Sequence, residues 1–214
     1  MPNWCSNTLN VSGNAEEVEK FVTASQGLPA AYPPQEWEKG LDLVPPTENY
    51  FCFNALVPTP QAVLDMGYDS HEKLPENIWD LMQQGHPIEN IDGYHWSIQN
   101  WGTKWDVYYD RITPEEMGWS KGCESISFTF DTAWSPPRGW FAQVIQLYPE
   151  LYFELHYEES GCFFAGIMYG ENGVLSIDEF DFERCSELFQ ALFEDDEDEE
   201  REGAESSDSP LSGG

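Results

Sequence analysis

Apolar residues recur along the first sixty positions at two different spacings, and each spacing predicts a different element. In residues 8–12, Leu9 and Val11 alternate with polar residues, which predicts a strand. Asn14 precedes apolar residues spaced three and four apart, so an amphipathic helix is predicted over residues 15–25. The continuous apolar run at residues 50–57 predicts a buried strand.

The middle of the chain has a weaker pattern, and we interpret about residues 58–105 as an insertion. Thr59 and Pro60 favour a short helix, with Thr59 as N-cap and Pro60 at the first helical position. A second helix is predicted over residues 75–84, and a strand is compatible with residues 107–112.

Regular patterns return in the second half. Strict alternation at residues 125–131 predicts a strand with one apolar face. The Ser-Pro pair that begins at Ser135 starts a predicted helix, which Pro149 ends. Residues 151–157 and 162–169 then predict two strands of a hairpin.

The last apolar pattern predicts an amphipathic segment through Phe182, Cys185, Phe189 and Leu192. Beyond it, residues 194–214 predict a disordered acidic tail. The order of elements in residues 1–193 favours an α+β fold, a ferredoxin-like sandwich in which helices cover one face of an antiparallel sheet.

The charge of the chain changes the functional picture more than any motif. Forty Asp and Glu residues oppose nine Lys and Arg residues, which gives a net charge of -31. The tail carries ten acids and one base, so the other 193 residues keep a net charge of -22. Such a surface repels phosphate backbones and anionic lipids, which argues against direct binding of nucleic acid or membranes. It attracts basic protein surfaces, although acidity can also serve solubility alone.

Cysteine and histidine positions predict no metal site and no cofactor. The five cysteines are far apart and form no CxxC pair, so reduced thiols in a cytosolic protein are expected. His95 and His156 fit no ligand spacing, and each is expected to be satisfied or solvent-facing. No signal-peptide pattern and no apolar run of ~20 residues is present. We expect a soluble cytoplasmic protein that is not an enzyme, because no nucleophile–base pair is evident.

Three segments in order carry a family resemblance: MPNWCSNTLNVSG at the N-terminus, NWGTKWD at residues 100–106 and TFDTAWSPP at residues 129–137. Together they resemble the YubB-type ferredoxin-like domain proteins, which are mostly uncharacterised products of phages and plasmids. The resemblance spans roughly residues 1–170. It implies a ferredoxin-like fold and a mobile-element origin, and it implies no known reaction.

The tryptophan-rich segment around Asn100, Trp101, Lys104 and Trp105 admits two interpretations. Exposed indoles could stack on a base or anchor a partner, with Asn100 and Lys104 making polar contacts. Alternatively, the indoles fill the core while Gly102 turns the chain. The second interpretation is favoured, because large aromatic side chains more often pack than bind.

Acidic side chains of the last hairpin, the following segment and the tail are the predicted partner-binding residues. They are Glu154, Glu158, Glu159, Asp178, Glu179, Asp181, Glu183, Glu187, Asp195 and Asp196. We predict a non-catalytic accessory protein of a phage or plasmid that binds a basic host protein, such as a nucleic-acid-handling or defence factor, by mimicking nucleic acid. Two alternatives stay open: a nucleotide- or small-ligand-binding module that uses the tryptophan-rich segment, and a virion or assembly component.

Overall fold

The structure is a computed structural model that describes residues 3–33, 47–70, 74–85, 88, 91–107, 113–115 and 118–180. Within these ranges the elements are, in chain order, β1 (Trp4–Ser12), α1 (Ala15–Ala24), α2 (Phe53–Leu56), α3 (Gln61–Met66), α4 (Ile78–Gln83), α5 (Gly93–Asn100), β2 (Ser125–Ala133), α6 (Arg138–Leu147), β3 (Tyr152–Glu159), β4 (Phe164–Glu171) and β5 (Val174–Phe180).

The five strands form one antiparallel sheet in the order β2-β1-β3-β4-β5. β1 lies between β2 and β3, and Leu9 pairs with Phe128 on one side and with Leu155 on the other. All three side chains are fully buried. Because alternate residues of a strand point to opposite faces, this register makes one face of the sheet apolar and leaves the other polar.

Helices α1 and α6 cover the apolar face. Phe21 of α1 packs edge-on against Phe153 of β3, with ring centroids 5.5 Å apart. Phe141 of α6 contacts the same Phe153 ring at 6.3 Å. The core therefore lies between the sheet and these helices, as the sequence predicts.

The patterned elements agree with the sequence prediction. β2, α6, β3 and β4 each begin within three residues of the predicted start. α1 begins at the predicted residue, and the Asn14 side chain accepts a hydrogen bond from the N–H of Glu16. β1 extends four residues further toward the N-terminus than predicted, since Trp4 and Cys5 also pair with β2.

The predicted strand at residues 50–57 is wrong, because this run contains the short helix α2. Both carboxylate oxygens of Asp106 accept hydrogen bonds from backbone N–H groups at its start, those of Phe53 and Asn54. The run is nevertheless buried: the Phe51 ring stacks on Phe128 with centroids 4.5 Å apart. Apolar content thus predicts the burial of a short run and not its backbone conformation.

Two further elements have no counterpart in the sequence prediction, namely α5 and β5. α3 and α4 lie where short helices are predicted, although α4 begins at Ile78 rather than at residue 75. The predicted cap of α3 is wrong: Pro60 rather than Thr59 is the N-cap, and the first helical residue is Gln61. Val107 belongs to no strand, and residues 108–112 lie outside the described residues, as do residues 181–193 and the acidic tail. Among the described helices, none combines the length and the apolar character needed to cross a bilayer.

Candidate functional site

Within the part of the chain that the structure describes, no helix of the core covers the polar face of the sheet, and its side chains point outward. We call this surface the open face, and its residues are exposed or half-buried. Register places one residue of each strand in each of three rows across it. The rows are Asp131, Ser6, Glu158, Ala165 and Phe180; Thr129, Thr8, His156, Ile167 and Asp178; and Ser127, Asn10, Glu154, Tyr169 and Ser176. At one end, Ser125, Ser12 and Tyr152 form a shorter row, and Glu171 pairs with Val174.

Negative charge dominates the open face. None of the described residues of this face is Lys or Arg, whereas five of them are acids: Asp131, Glu154, Glu158, Glu171 and Asp178. His156 lies among them, with its Nε2 atom 2.5 Å from a carboxylate oxygen of Glu154. The predicted partner-binding residues Glu154, Glu158 and Asp178 therefore share one exposed surface.

Glu159 does not belong to this surface, contrary to the sequence prediction. It lies on the opposite side of β3, only 2 % exposed, and its carboxylate accepts hydrogen bonds from the backbone N–H groups of Gly161 and Cys162. Burial alone would raise the pKa of Glu159, but these hydrogen bonds outweigh it and the pKa is lowered. Glu159 thus stabilises the turn between β3 and β4.

Glu179 also points away from the open face, because it pairs with Gly166 on the row that faces the core. Its carboxylate forms an ion pair with Arg138 and accepts a hydrogen bond from the Tyr157 hydroxyl at 3.0 Å. We therefore remove Glu159 and Glu179 from the candidate surface. Five other predicted residues, Asp181, Glu183, Glu187, Asp195 and Asp196, lie outside the described residues.

A groove of about 430 Å³ lies where β1 begins and β2 ends. Its walls are formed by Trp4, Trp105, Asp106, Asp131, Thr132 and Ala133. Trp4 pairs with Ala133 in the sheet, so both continue the open face toward this end. The rings of Trp4 and Trp105 lie 6.2 Å apart at an angle of 48°. The groove is therefore aromatic on one side and is continuous with the acidic surface through Asp131.

A hydrogen bond from Tyr68 positions the backbone just before Trp105. The Tyr68 hydroxyl donates to the carbonyl oxygen of Lys104 at 3.0 Å. Burial raises the pKa of Tyr68, so this hydroxyl keeps its proton as a donor. The backbone that carries Trp105 is thus held in place by a group within the fold.

Beside the groove, Trp134 adopts a backbone conformation that bulky residues rarely take. Its φ angle is 72°, in the left-handed region. Its N–H donates to the carbonyl oxygen of Asn3 at 2.9 Å, and the Lys104 ammonium lies 5.5 Å from its ring centroid. The same ammonium lies 5.4 Å from the ring centroid of Tyr94. Lys104 therefore binds intramolecular aromatic rings in place of a ligand phosphate.

The tryptophan-rich segment divides between core and surface. Trp101 is 1 % exposed, and its indole N–H donates to the carbonyl oxygen of Val57 at 3.0 Å. The Asn100 side chain donates to the carbonyl oxygen of Trp96, in its own helix. Asn100 and Trp101 are therefore structural, as the favoured interpretation predicts, whereas Trp105 is 40 % exposed. The sequence pattern singles out Trp105 but misses Trp4 and Asp131. Only the register of β1 against β2 places Trp4 and Asp131 beside Trp105 in the groove.

Asp106 is a buried carboxylate in the groove wall, and its pKa is strongly raised. Burial raises its pKa to about 6, although the backbone N–H groups of Phe53, Asn54 and Val107 donate to its oxygens and favour the charged form. Its hydrogen bonds join the groove to α2. Asp106 is accordingly a structural carboxylate that also contributes negative charge beside Trp105.

Histidines and cysteines do not converge on a reactive centre within the described ranges. His95 is buried, and its Nδ1 lies 2.7 Å from the Asp92 carboxylate. Burial raises the pKa of the Cys5 and Cys52 thiols to about 12. No group of three or more His, Cys, Asp or Glu side chains in these ranges has the arrangement of a metal site.

Comparisons with known proteins address the fold. Residues 104–205 match the family model described as the ferredoxin-like domain in Api92-like protein. Among solved structures, the crystal structure of protein Api92 from Yersinia pseudotuberculosis is similar at 12% sequence identity, covering 85% of this chain and 99% of that chain with a TM-score of 0.43. No curated protein matches the chain. The chain contains a ferredoxin-like domain with a five-stranded antiparallel sheet, which confirms the predicted fold class.

Proposed function

We propose that this protein is a non-catalytic acidic accessory protein that binds a basic surface of another protein through its open face. The observation that carries the proposal is the charge of that face, where five carboxylates lie together and none of the described residues that form it is Lys or Arg. Complementary charge of this kind accelerates association and selects a basic partner over an acidic one.

The spacing of the carboxylates supports mimicry of a nucleic acid. Asp131 and Glu158 both pair with Ser6, on either side of it, so two interstrand distances of about 4.8 Å place them about 10 Å apart. Glu154 and Glu158 lie four residues apart on β3, which corresponds to about 13 Å along the strand. Phosphates follow at about 3.4 Å of axis along a DNA strand, so a surface that contacts several phosphates spans similar distances.

The resemblance to YubB-type proteins implies a mobile-element origin, and this origin suggests the kind of partner that the protein would bind. In the cytoplasm of a bacterial host, the partner would be a factor that handles DNA or RNA or defends against foreign elements. Such factors carry basic grooves for phosphate backbones. The acidic tail adds a net charge of -9, which would strengthen the same attraction.

The test compares two variants that remove the same charge from different places. One replaces three open-face acids (Glu154→Gln, Glu158→Gln and Asp178→Asn), and its matched control replaces three exposed acids elsewhere (Glu76→Gln, Asp80→Asn and Glu150→Gln). Each variant and the original chain are used to capture proteins from a bacterial lysate, and the affinity of each captured protein is then measured over a range of salt concentrations.

We expect a partner whose affinity falls steeply with salt and at least tenfold in the open-face variant, with little change in the control. Double-stranded DNA should compete for the same partner. Equal losses in both variants would show that bulk charge alone attracts the partner. An affinity independent of salt would refute the electrostatic mechanism. A version that ends at Phe193 tells whether the tail contributes.

A further inference from the structure

Two half-exposed tryptophans at the end of the open face are not explained by the packing of the core. Trp4 is 53% exposed and Trp105 is 40% exposed, whereas Trp101 and Trp140 are almost completely buried. The two exposed rings lie side by side on one wall of the groove, with centroids 6.2 Å apart. Adjacent exposed indoles are typical of a binding site, since each leaves a large apolar area in contact with water.

The backbone at both tryptophans is held by the fold. Trp4 is the first residue of β1, where it pairs with Ala133. The carbonyl oxygen of Lys104, the residue before Trp105, accepts a hydrogen bond from the Tyr68 hydroxyl. A ligand that enters the groove therefore orders little backbone, which lowers the entropic cost of binding.

Charge determines which ligands the groove favours. The carboxylate of Asp131 is exposed at its wall, Asp106 lies beside Trp105, and among the described residues no Lys or Arg belongs to the groove walls. Lys104, the neighbouring cation, already contacts the rings of Tyr94 and Trp134. Aromatic faces attract cations, and a carboxylate beside them adds a counter-charge and two hydrogen-bond acceptors.

We propose that this groove binds a guanidinium group, with the planar cation against the Trp4 and Trp105 rings and its N–H groups donating to the Asp131 carboxylate. A guanidinium suits these walls better than an ammonium, because it is flat, stacks on aromatic faces and matches a carboxylate in two-point hydrogen bonding. The inference does not depend on the proposed function of the open face. The guanidinium group belongs either to a free guanidinium compound or to the arginine side chain of a polypeptide.

The test measures tryptophan fluorescence and heat of binding while N-acetyl-L-arginine methylamide is added to the full chain. The citrulline counterpart is the matched control ligand, since it has nearly the same shape and no charge. A blocked Gly-Arg-Gly peptide distinguishes the two sources: tighter binding of the peptide indicates a polypeptide ligand, and equal binding indicates a free compound.

Two variants and their controls assign the site. Asp131→Asn should weaken binding of the arginine compound about tenfold, and Trp4→Leu should weaken it at least as much. Glu150→Gln, at an exposed acid outside the open face, and Trp79→Leu, at another exposed tryptophan, should leave it unchanged. The proposal is overturned if the arginine compound does not bind, if citrulline binds equally well, or if Asp131→Asn has no effect on binding. Quenching by nucleoside monophosphates that exceeds quenching by the arginine compound would overturn it too.

Discussion

Asp106 links the groove to the core, and its replacement by asparagine should change the pH dependence of stability. Both carboxylate oxygens accept backbone hydrogen bonds, at 2.6 Å from Phe53 and 3.0 Å from Asn54. Asparagine is isosteric, but it offers one oxygen only and turns an NH₂ group toward an N–H donor. The substitution should therefore destabilise the fold at neutral pH by about 1 kcal/mol or more.

The pH dependence follows from the raised pKa. In the folded chain Asp106 titrates near a pKa of about 6 instead of 3.8, so below pH 6 the folded state binds more protons than the unfolded state. Stability contributed by this group therefore rises as the pH falls. Between pH 7.5 and 5.0 the two pKa values give a gain on the order of 1 kcal/mol in the original chain. Asp106→Asn cannot titrate and lacks this gain.

The assay is urea unfolding followed by tryptophan fluorescence at several pH values in this window, which stays above the isoelectric point of about 4.1. Other titrating groups are common to both proteins, so they cancel in the difference between the two free energies of unfolding. That difference should widen toward pH 5.0 by an amount on the order of 1 kcal/mol. A constant or narrowing difference would refute the reasoning that burial dominates at Asp106.

Three further substitutions test the packing. Trp134→Gly should be more stable than Trp134→Ala by about 1 kcal/mol in thermal unfolding, since only glycine adopts a positive φ without strain; the reverse order would contradict the left-handed conformation. Trp101→Phe leaves the Val57 carbonyl without its indole donor and creates a cavity, so a loss of about 2 kcal/mol or more is expected in urea unfolding. Gly166→Ala would place its Cβ 2.3 Å from the Tyr157 hydroxyl oxygen, and a loss of about 1–3 kcal/mol is expected in the same assay.

The candidate site was only partly predictable. Glu154 and Glu158 belong to a strand with clear alternation, so their outward direction follows from the pattern. The same alternation places Glu159 on the opposite face. Its role in the turn, however, comes from the hydrogen bonds that two N–H groups of the next turn donate to it. Asp178 lies in β5, whose residues are mostly exposed and whose apolar residues do not alternate strictly with polar ones, so this edge strand gives no clear signal of period two.

The sequence alone determined the features that depend on neighbouring residues: the alternating strands, the capped helix α1 and the excess of acidic charge. Tertiary structure decided which distant residues meet. Pairing of β1 with β2 brings Trp4 beside Ala133, and the path of the chain around Tyr68 brings Trp105 to the same place. It also decided that residues 53–56 form a helix, because Asp106, some fifty positions away, accepts their N–H groups. Local patterns encode which face of an element is buried, whereas register and long-range hydrogen bonds arise only when the elements pack together.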